Sequence, residues 1–128
     1  MEIKRGIFPF GGGTARWVQT TGWGNAMRYL LTGDEFGADE AYRLGIVQEI
    51  VAPVFLLGRA VALAERIAEQ SPLGVYATLQ SARTAVREGE RAAAARLIPE
   101  IQRLSQTRDA EEGFMSILER RPPLFEGR

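Results

Sequence analysis

The chain has 128 residues, enough for one small domain or for part of a larger one. Sixteen basic and sixteen acidic side chains cancel, so no net charge attracts nucleic acid or an anionic membrane surface. Cysteine and histidine are absent, which excludes disulfides, thiolate nucleophiles, Ser-His-Asp triads and histidine-based metal sites. Any acid–base chemistry in this chain is therefore expected to use carboxylates or backbone dipoles.

The N-terminal residues contain no apolar core of signal-peptide length. No stretch approaches the roughly 20 apolar residues that cross a bilayer. Together with the lack of cysteine, these features predict a soluble, cytoplasmic protein that has neither a membrane nor a nucleic acid as partner.

The first third of the chain is rich in glycine and predicts short elements joined by turns. Residues 2–8 are consistent with a short extended segment, because Pro9 disfavours helical conformation in the residue before it. The three glycines at 11–13 predict a tight loop. Three short elements are expected after it: helices over 14–18 and 25–31, and a brief strand near 35–36.

Residues 38–51 predict a helix followed by the strongest strand candidate of the chain. The helix, over 38–44, is expected to end at Gly45, where a left-handed cap suits glycine. Four β-branched residues between positions 46 and 51 predict a strand, which Pro53 closes.

From residue 54 onward the apolar residues recur with a helical period. Ser71 and Pro72 suit the N-cap and the first position of a helix, and this helix is expected to stop near Gly89. The apolar stripes of the first two helices are Leu56, Ala60, Leu63 and Ile67, then Tyr76, Leu79, Ala82 and Val86.

Two further helices are predicted near the C-terminus. Pro99 lies within the third apolar stripe and predicts a kink or a helix start close by. Asp109 and Glu112 have the spacing of a capping box for a last helix over 110–120, followed by an irregular tail over 124–128. The expected buried side of this last helix consists of Phe114, Ile117 and Leu118.

The predicted helices outnumber the predicted strands. A self-sufficient α/β domain needs several strands under its helices, and at most three short strands are available here. The helices are therefore expected to pack either on one another or on material outside this chain.

The glycine turn does not match a nucleotide-binding loop. Gly11-Gly12-Gly13-Thr14 lacks the Gly-Lys-Ser/Thr of a nucleoside-triphosphate loop, and Arg16 interrupts the spacing of a dinucleotide site. Two interpretations remain open: a tight structural turn, or a place where a ligand closely approaches the backbone and the N–H groups of a helix start.

Two charged sites allow both a structural and a functional interpretation. Glu2 is the only acid among the first 33 residues, and a lone glutamate of this kind is usually just solvated. Arg120 and Arg121 could hold a phosphate, but cations at the end of a helix also complement its dipole. The residues alone favour the structural interpretation of both sites.

A family resemblance changes this balance. Residues 2–16 resemble the signature of the crotonase (enoyl-CoA hydratase/isomerase) family around its second catalytic glutamate: a glutamate, an apolar stretch, a proline and a glycine-rich turn that opens a helix. Further blocks resemble the family in the same order, at residues 24–36, 41–51, 112–114 and 118–123.

The resemblance implies an α/β fold, the crotonase-like ββα spiral. This chain would hold mainly the helical C-terminal portion of that fold, with two or three short strands. Residues 1–51 would form the end of the spiral core with its glycine-rich turn, and residues 52–128 a C-terminal helical region of the trimerisation type.

The resemblance also implies roles for individual residues. Glu2 matches the second catalytic glutamate, which with another glutamate holds the water added to the double bond of a 2-enoyl-CoA thioester. Arg120 matches a basic position near the adenine and 3′-phosphate of CoA. The implied substrate-binding residues are Pro9, Phe10, Gly11, Gly12 and Arg120. The CoA thioester is the substrate and no cofactor is implied, while the acyl chain and the choice between hydratase and isomerase chemistry stay open.

Family members are about twice as long as this chain, which therefore resembles their C-terminal half. The first glutamate and the oxyanion-hole N–H groups lie upstream in the family. The apolar stripes are expected to cover an N-terminal half or the neighbouring subunits of a homotrimer or hexamer. The alternatives are a non-catalytic module for oligomerisation or CoA-ester binding, and a truncated inactive fragment.

Overall fold

The computed structural model describes residues 2–128, which form helices and connecting loops without any β-strand. A 3₁₀ turn, Glu2–Arg5, comes first, and a second, Pro53–Phe55, leads into the fourth helix. The α-helices are α1 (Gly13–Thr21), α2 (Trp23–Thr32), α3 (Ala38–Arg43), α4 (Leu56–Ala68), α5 (Pro72–Glu88), α6 (Glu90–Leu104) and α7 (Arg108–Glu119). The chain divides into two compact units, the first ending at Phe55 and the second beginning at Leu56. Residue 1 of the predicted first region lies outside the described residues.

The predicted strands are wrong. Residues 46–51 and 35–36 are irregular, and the segment predicted to be extended begins with a 3₁₀ turn. A strand is stable only when a neighbouring strand pairs with its backbone N–H and carbonyl groups. Residues 2–128 supply no strand to pair with. The N-terminal segment instead satisfies its backbone locally: the Ile7 N–H donates to the Glu2 carbonyl, at 3.3 Å.

In the first unit, α1 and the N-terminal 3₁₀ turn both pack on α2. The buried apolar residues of this unit are Ala26, Tyr29, Leu30 and Leu44. The Phe36 ring lies against Tyr29, with centroids 4.7 Å apart, and against Trp17, at 5.5 Å. The loop predicted to be a strand thus contributes an aromatic side chain to this core.

Glycines set the helix ends of the first unit. Gly22, with φ 78°, separates α1 from α2, and Gly33, with φ 68°, ends α2. Gly45 follows α3 with φ 75°, which confirms its predicted left-handed conformation. α1 and α2 begin earlier and end later than predicted, because only glycine positions interrupt them.

In the second unit, α5 packs on α6. Ser71 is the N-cap of α5, as predicted, and its Oγ accepts a hydrogen bond from the Gly74 N–H at 3.3 Å. Gly89, with φ 93°, ends α5 where the sequence placed the stop. The sequence predicts a kink or a helix start near Pro99; the helix α6 runs through this proline, so the second alternative is wrong. One missing N–H removes a single helical hydrogen bond, and the alanines at 92–95 favour helix strongly.

The last helix differs from its prediction at the start and on its buried side. Thr107, not Asp109, is the N-cap, and its Oγ1 accepts from the Ala110 N–H at 3.2 Å. The residues expected to be buried are exposed: Phe114, Ile117 and Leu118, by 64%, 77% and 63%. They are exposed because no part of the described chain covers that face of α7, whose buried residues are Asp109 and Ser116.

Apolar faces are exposed on most of the long helices. The buried apolar residues of the second unit are only Ala77 and Ala93, whereas larger apolar side chains on α4, α5 and α6 are exposed. Exposed apolar faces of this kind are typical of surfaces that contact another chain or another part of a protein. None of the helices described is long and apolar enough to cross a membrane.

Candidate active site and nucleotide-binding end

Glu2 lies half-buried in the N-terminal 3₁₀ turn, which is pressed closely against the end of α2. A Cβ atom added to Gly33 would lie 3.0 Å from Ile3 Cγ2 and 3.0 Å from Lys4 side-chain carbons. The backbone of α2 therefore fixes the turn that carries Glu2. Its carboxylate makes no hydrogen bond or ion pair with residues 3–128, so it is available to a group from outside them.

The glycine turn forms the start of α1. Gly12 is the N-cap, with φ 91°, a conformation that favours glycine. The Arg16 side chain folds back over the turn: its Nη1 donates to the Gly11 carbonyl at 3.3 Å. No side chain caps α1, so its first N–H groups have no side-chain acceptor.

Four of the predicted substrate-binding residues, at positions 9–12, lie at this turn. The Pro9 ring packs on the helix start, since its Cβ lies 3.5 Å from the position that a Cβ on Gly13 would take. Phe10 projects outward and is 72% exposed. Glu2 and the four predicted residues at 9–12 thus belong to one unit, while Arg120 belongs to the other.

A network of three side chains connects α2 to α3 and was not predicted. The Tyr29 hydroxyl donates to Glu40 Oε1, and Arg43 donates through Nε to Oε2 at 2.5 Å and through Nη2 to Oε1 at 2.6 Å. Hydrogen bonds from Arg43, and then from Tyr29, lower the pKa of Glu40 to about 2, and the bond to Glu40 raises the pKa of Tyr29. Glu40 is therefore a fully engaged structural carboxylate and not a free acid or base. The spacing of Glu40 and Arg43 was visible in the sequence, whereas the contact with Tyr29 was not.

Arg120 ends α7 in an unusual backbone conformation. It is the only non-glycine residue among those described with a positive φ, 53°. The bend is closed by two backbone bonds: the Arg120 N–H donates to the Ile117 carbonyl at 3.3 Å, and the Arg121 N–H to the Ser116 carbonyl at 3.0 Å. This pair is the Schellman arrangement. The exposed Arg120 guanidinium has no ion pair or hydrogen bond within residues 2–128, so it is available to an external anion.

The neighbouring Arg121, just beyond α7, is bound to carboxylates of that helix. Its Nη1 and Nη2 donate to the Glu112 carboxylate, the Nη2 bond being 2.8 Å, and its Nε donates to Glu119 at 2.6 Å. Glu112 also accepts from the Leu124 N–H at 2.8 Å. The Arg121 and Leu124 bonds, in that order, lower the pKa of Glu112 to about 2. Of the two adjacent arginines, only Arg120 is free to bind phosphate.

Asp109 joins three segments of the second unit. It is only 3% exposed and accepts hydrogen bonds from the Ser71 hydroxyl at 2.9 Å and from the Glu126 and Gly127 N–H groups at 2.8 and 3.1 Å. Burial raises the pKa of this carboxyl, but the hydrogen bonds from Glu126, Ser71 and Gly127 outweigh it and lower the pKa overall. The C-terminal tail is irregular, as predicted, but it is fixed to the first turn of α7.

The enoyl-CoA hydratase/isomerase family model matches residues 1–128. The chain belongs to this family. The 2,3-dehydroadipyl-CoA hydratase of Escherichia coli (strain K12) is 32% identical over 127 residues, which cover 99% of this chain and 50% of that protein. The (E)-benzylidenesuccinyl-CoA hydratase of Thauera aromatica is 39% identical over 106 residues, covering 80% of this chain and 40% of that protein.

Solved structures place this enoyl-CoA hydratase/isomerase-family chain in the same fold. The crystal structure of a probable enoyl-CoA hydratase/isomerase from Mycobacterium abscessus matches it with a TM-score of 0.93 and 52% identity, over 99% of this chain and 49% of that one. The crotonase resemblance is thus confirmed, although the two or three strands expected here are absent from the described residues. The chain spans about half the length of these relatives.

Proposed function

We propose that this chain provides the C-terminal half of an acyl-CoA enzyme that hydrates the double bond of 2-enoyl-CoA thioesters. The observation that carries the proposal is the half-buried carboxylate of Glu2, which has no partner in residues 3–128 and sits on a turn fixed against α2. Family membership over the whole chain supports the same assignment.

In this proposal Glu2 handles a proton. Hydration adds the oxygen of water to one alkene carbon and a proton to the carbon next to the thioester. A carboxylate at the site can take a proton from the water or return one to that carbon, and such a group contributes about 10²–10⁴ in rate. The thioester needs no cofactor, because negative charge develops on its own carbonyl oxygen.

The second acid and the oxyanion N–H donors would come from outside this chain. Each oxyanion donor is worth about 10²–10³ in rate. We therefore expect negligible turnover from this chain alone and substantial turnover only when the missing half is supplied.

Each unit, taken by itself, offers residues for substrate binding. Pro9, Phe10, Gly11 and Gly12 would lie beside the acyl group, since glycine has no Cβ atom and lets a ligand approach the backbone closely. Arg120 would bind the 3′-phosphate of CoA through its unpaired guanidinium. We further propose a cytoplasmic homotrimer or hexamer, since exposed apolar helix faces are suited to subunit contacts.

A split-enzyme assay tests the role of Glu2. The chain is mixed with the N-terminal half of the Mycobacterium abscessus relative, and hydration of crotonyl-CoA is followed by the loss of absorbance of the conjugated thioester. We expect Glu2→Gln to lower turnover by about 10²–10⁴. Glu35→Gln, which removes an exposed carboxylate of the same unit, is expected to change turnover less than about twofold.

Other outcomes separate the alternatives. Turnover that survives Glu2→Gln would refute the assigned role. A discrete trimer or hexamer in light scattering, without activity in any mixture, would favour a non-catalytic oligomerisation module, the function that the exposed apolar faces support second. A non-cooperative thermal melt with dye binding would indicate an inactive fragment.

A further inference from the structure

We propose that Glu112, acting through Arg121, is a positioning residue that holds Arg120 in its left-handed bend and keeps the Arg120 guanidinium free. The inference deepens the nucleotide contact proposed above and rests on that contact for the identity of the ligand alone. The bend lies within the second unit itself. So does its clamp, which is the set of ion pairs from Arg121 to Glu112 and Glu119.

Arg120 adopts a conformation that a residue with a Cβ atom rarely keeps. In the left-handed region the Cβ crowds the following carbonyl, and such conformations persist where the surroundings over-determine them. Helix ends of this type usually carry glycine at this position. Here the position carries arginine, so other contacts must maintain the bend.

The clamp on the next residue supplies those contacts. A Schellman end normally carries an apolar contact from the residue after the bend back to the helix. Arg121 occupies that place and instead forms ion pairs with Glu112 and Glu119. The bidentate bond to Glu112 spans nine residues and pulls the chain back along α7, which fixes the backbone on the C-terminal side of Arg120.

Glu112 also fixes the start of the tail. The same carboxylate accepts from the Leu124 N–H, so one side chain holds the chain at residues 121 and 124. Pairing Arg121 with carboxylates leaves Arg120 as the free cation of the two. Loss of Glu112 would leave Arg121 paired with Glu119 through Nε alone, and its Nη groups would then compete for the same anion. It would also free Arg120 to leave the bend.

Amide hydrogen exchange of the full chain tests the positioning role directly. In Glu112→Ala we expect the Arg121 and Leu124 amides to exchange about tenfold faster or more, because both lose their support. Glu111→Ala removes an exposed carboxylate from the adjacent position of the same helix and is expected to leave both amides unchanged.

A rescue variant distinguishes positioning from general loss of structure. Glycine adopts the left-handed conformation without a clamp. Adding Arg120→Gly to Glu112→Ala should therefore restore protection of the Arg121 amide, while the Leu124 amide, which has lost its acceptor, stays exposed. A merely destabilised helix would not be rescued at one amide alone.

Titration with adenosine 3′,5′-bisphosphate measures the consequence for binding. We expect Glu112→Ala to weaken affinity about tenfold, Glu111→Ala to leave it unchanged, and Arg120→Gly to abolish binding. Unchanged Arg121 protection, or unchanged affinity in Glu112→Ala while Arg120→Gly abolishes binding, would overturn the positioning role. If Arg120→Gly binds normally, the proposed phosphate contact fails, and amide exchange alone then decides the positioning role.

Discussion

Asp109, on α7, is a buried carboxylate whose partners come from two other segments of the second unit. Its oxygens accept bonds from the start of α5 and from two backbone N–H groups of the tail, and its own N–H donates to the Arg128 carbonyl at 3.0 Å. Each of these donors would be left without its acceptor if the carboxylate were removed. A polar group that loses its hydrogen-bond partner where water reaches it poorly lowers protein stability.

We expect Asp109→Ala to lower the free energy of unfolding by about 1–3 kcal/mol, because it removes a buried acceptor from three partly buried donors. Urea unfolding followed by circular dichroism measures the change. Glu111→Ala, an exposed neighbour on α7, should change the same free energy by less than about 0.5 kcal/mol. Equal effects of the two substitutions would show that the Asp109 bonds contribute nothing.

Asp109 was identified from the sequence, but its predicted role as the cap of α7 is wrong. Asp109 was predicted to cap α7, because an acid three residues before a glutamate suits a helix start. Its actual partners include backbone N–H groups 17 and 18 residues away, and backbone groups leave no signature in a sequence. Glu2 and Arg120, by contrast, stay predictions as site residues, because their roles depend on groups outside the described chain.

At the scale of elements, the contact between Gly33 and the N-terminal turn connects helix α2 to the candidate catalytic residue. Gly33→Ala would add strain at a positive φ and would also push the added Cβ against Ile3 and Lys4. Gly45→Ala adds similar strain at φ 75°, but nothing lies within 4 Å of its Cβ. The two substitutions therefore separate backbone strain from displacement of the turn.

We expect only Gly33→Ala to disturb the turn that carries Glu2. The Gly6 and Ile7 amides, bound to the Ile3 and Glu2 carbonyls, should exchange several-fold faster in this variant and unchanged in Gly45→Ala. Both variants should lose about 1 kcal/mol of stability from strain. Equal protection of these amides in both would show that Gly33 does not hold the turn.

Helix ends were predictable where a local residue sets them, and strands were not. Ser71, Pro72 and Gly89 cap or end α5 as their chemistry predicts. The β-branched residues at 46–51 gave an equally clear local signal, but a strand depends on a partner that residues 2–128 do not supply. Local signals thus predicted both ends of α5 and failed where the structure depends on another segment.

At the scale of the whole molecule, each unit contains one strongly acidic glutamate. Ion pairs and hydrogen bonds lower the pKa of Glu40 and of Glu112 from 4.5 to about 2. A group whose pKa is lower in the folded than in the unfolded chain stabilises the fold above its unfolded pKa. That contribution is lost as the pH falls toward the folded pKa.

We therefore expect the thermal midpoint of the chain to stay level from pH 7 to about pH 5 and to fall between pH 4.5 and about pH 2. Glu40→Gln should flatten this fall in part, because it removes one of the carboxyls whose pKa is lowered in the fold; Glu100, Asp109 and Glu112 are the others. Glu69→Gln, at an exposed position after α4, should leave the profile unchanged. A profile identical in Glu40→Gln and the unsubstituted chain would contradict the assignment.

The packing partners of the helices also bear on how the chain folds. The main helix contacts join neighbours along the chain, α1 with α2 and α5 with α6, across single glycines at positions 22 and 89. Such pairings have low contact order, because only a short loop must close before they form, and helical proteins of this kind fold in microseconds to milliseconds. Each unit can thus assemble its helix pair early, while its apolar faces are still exposed.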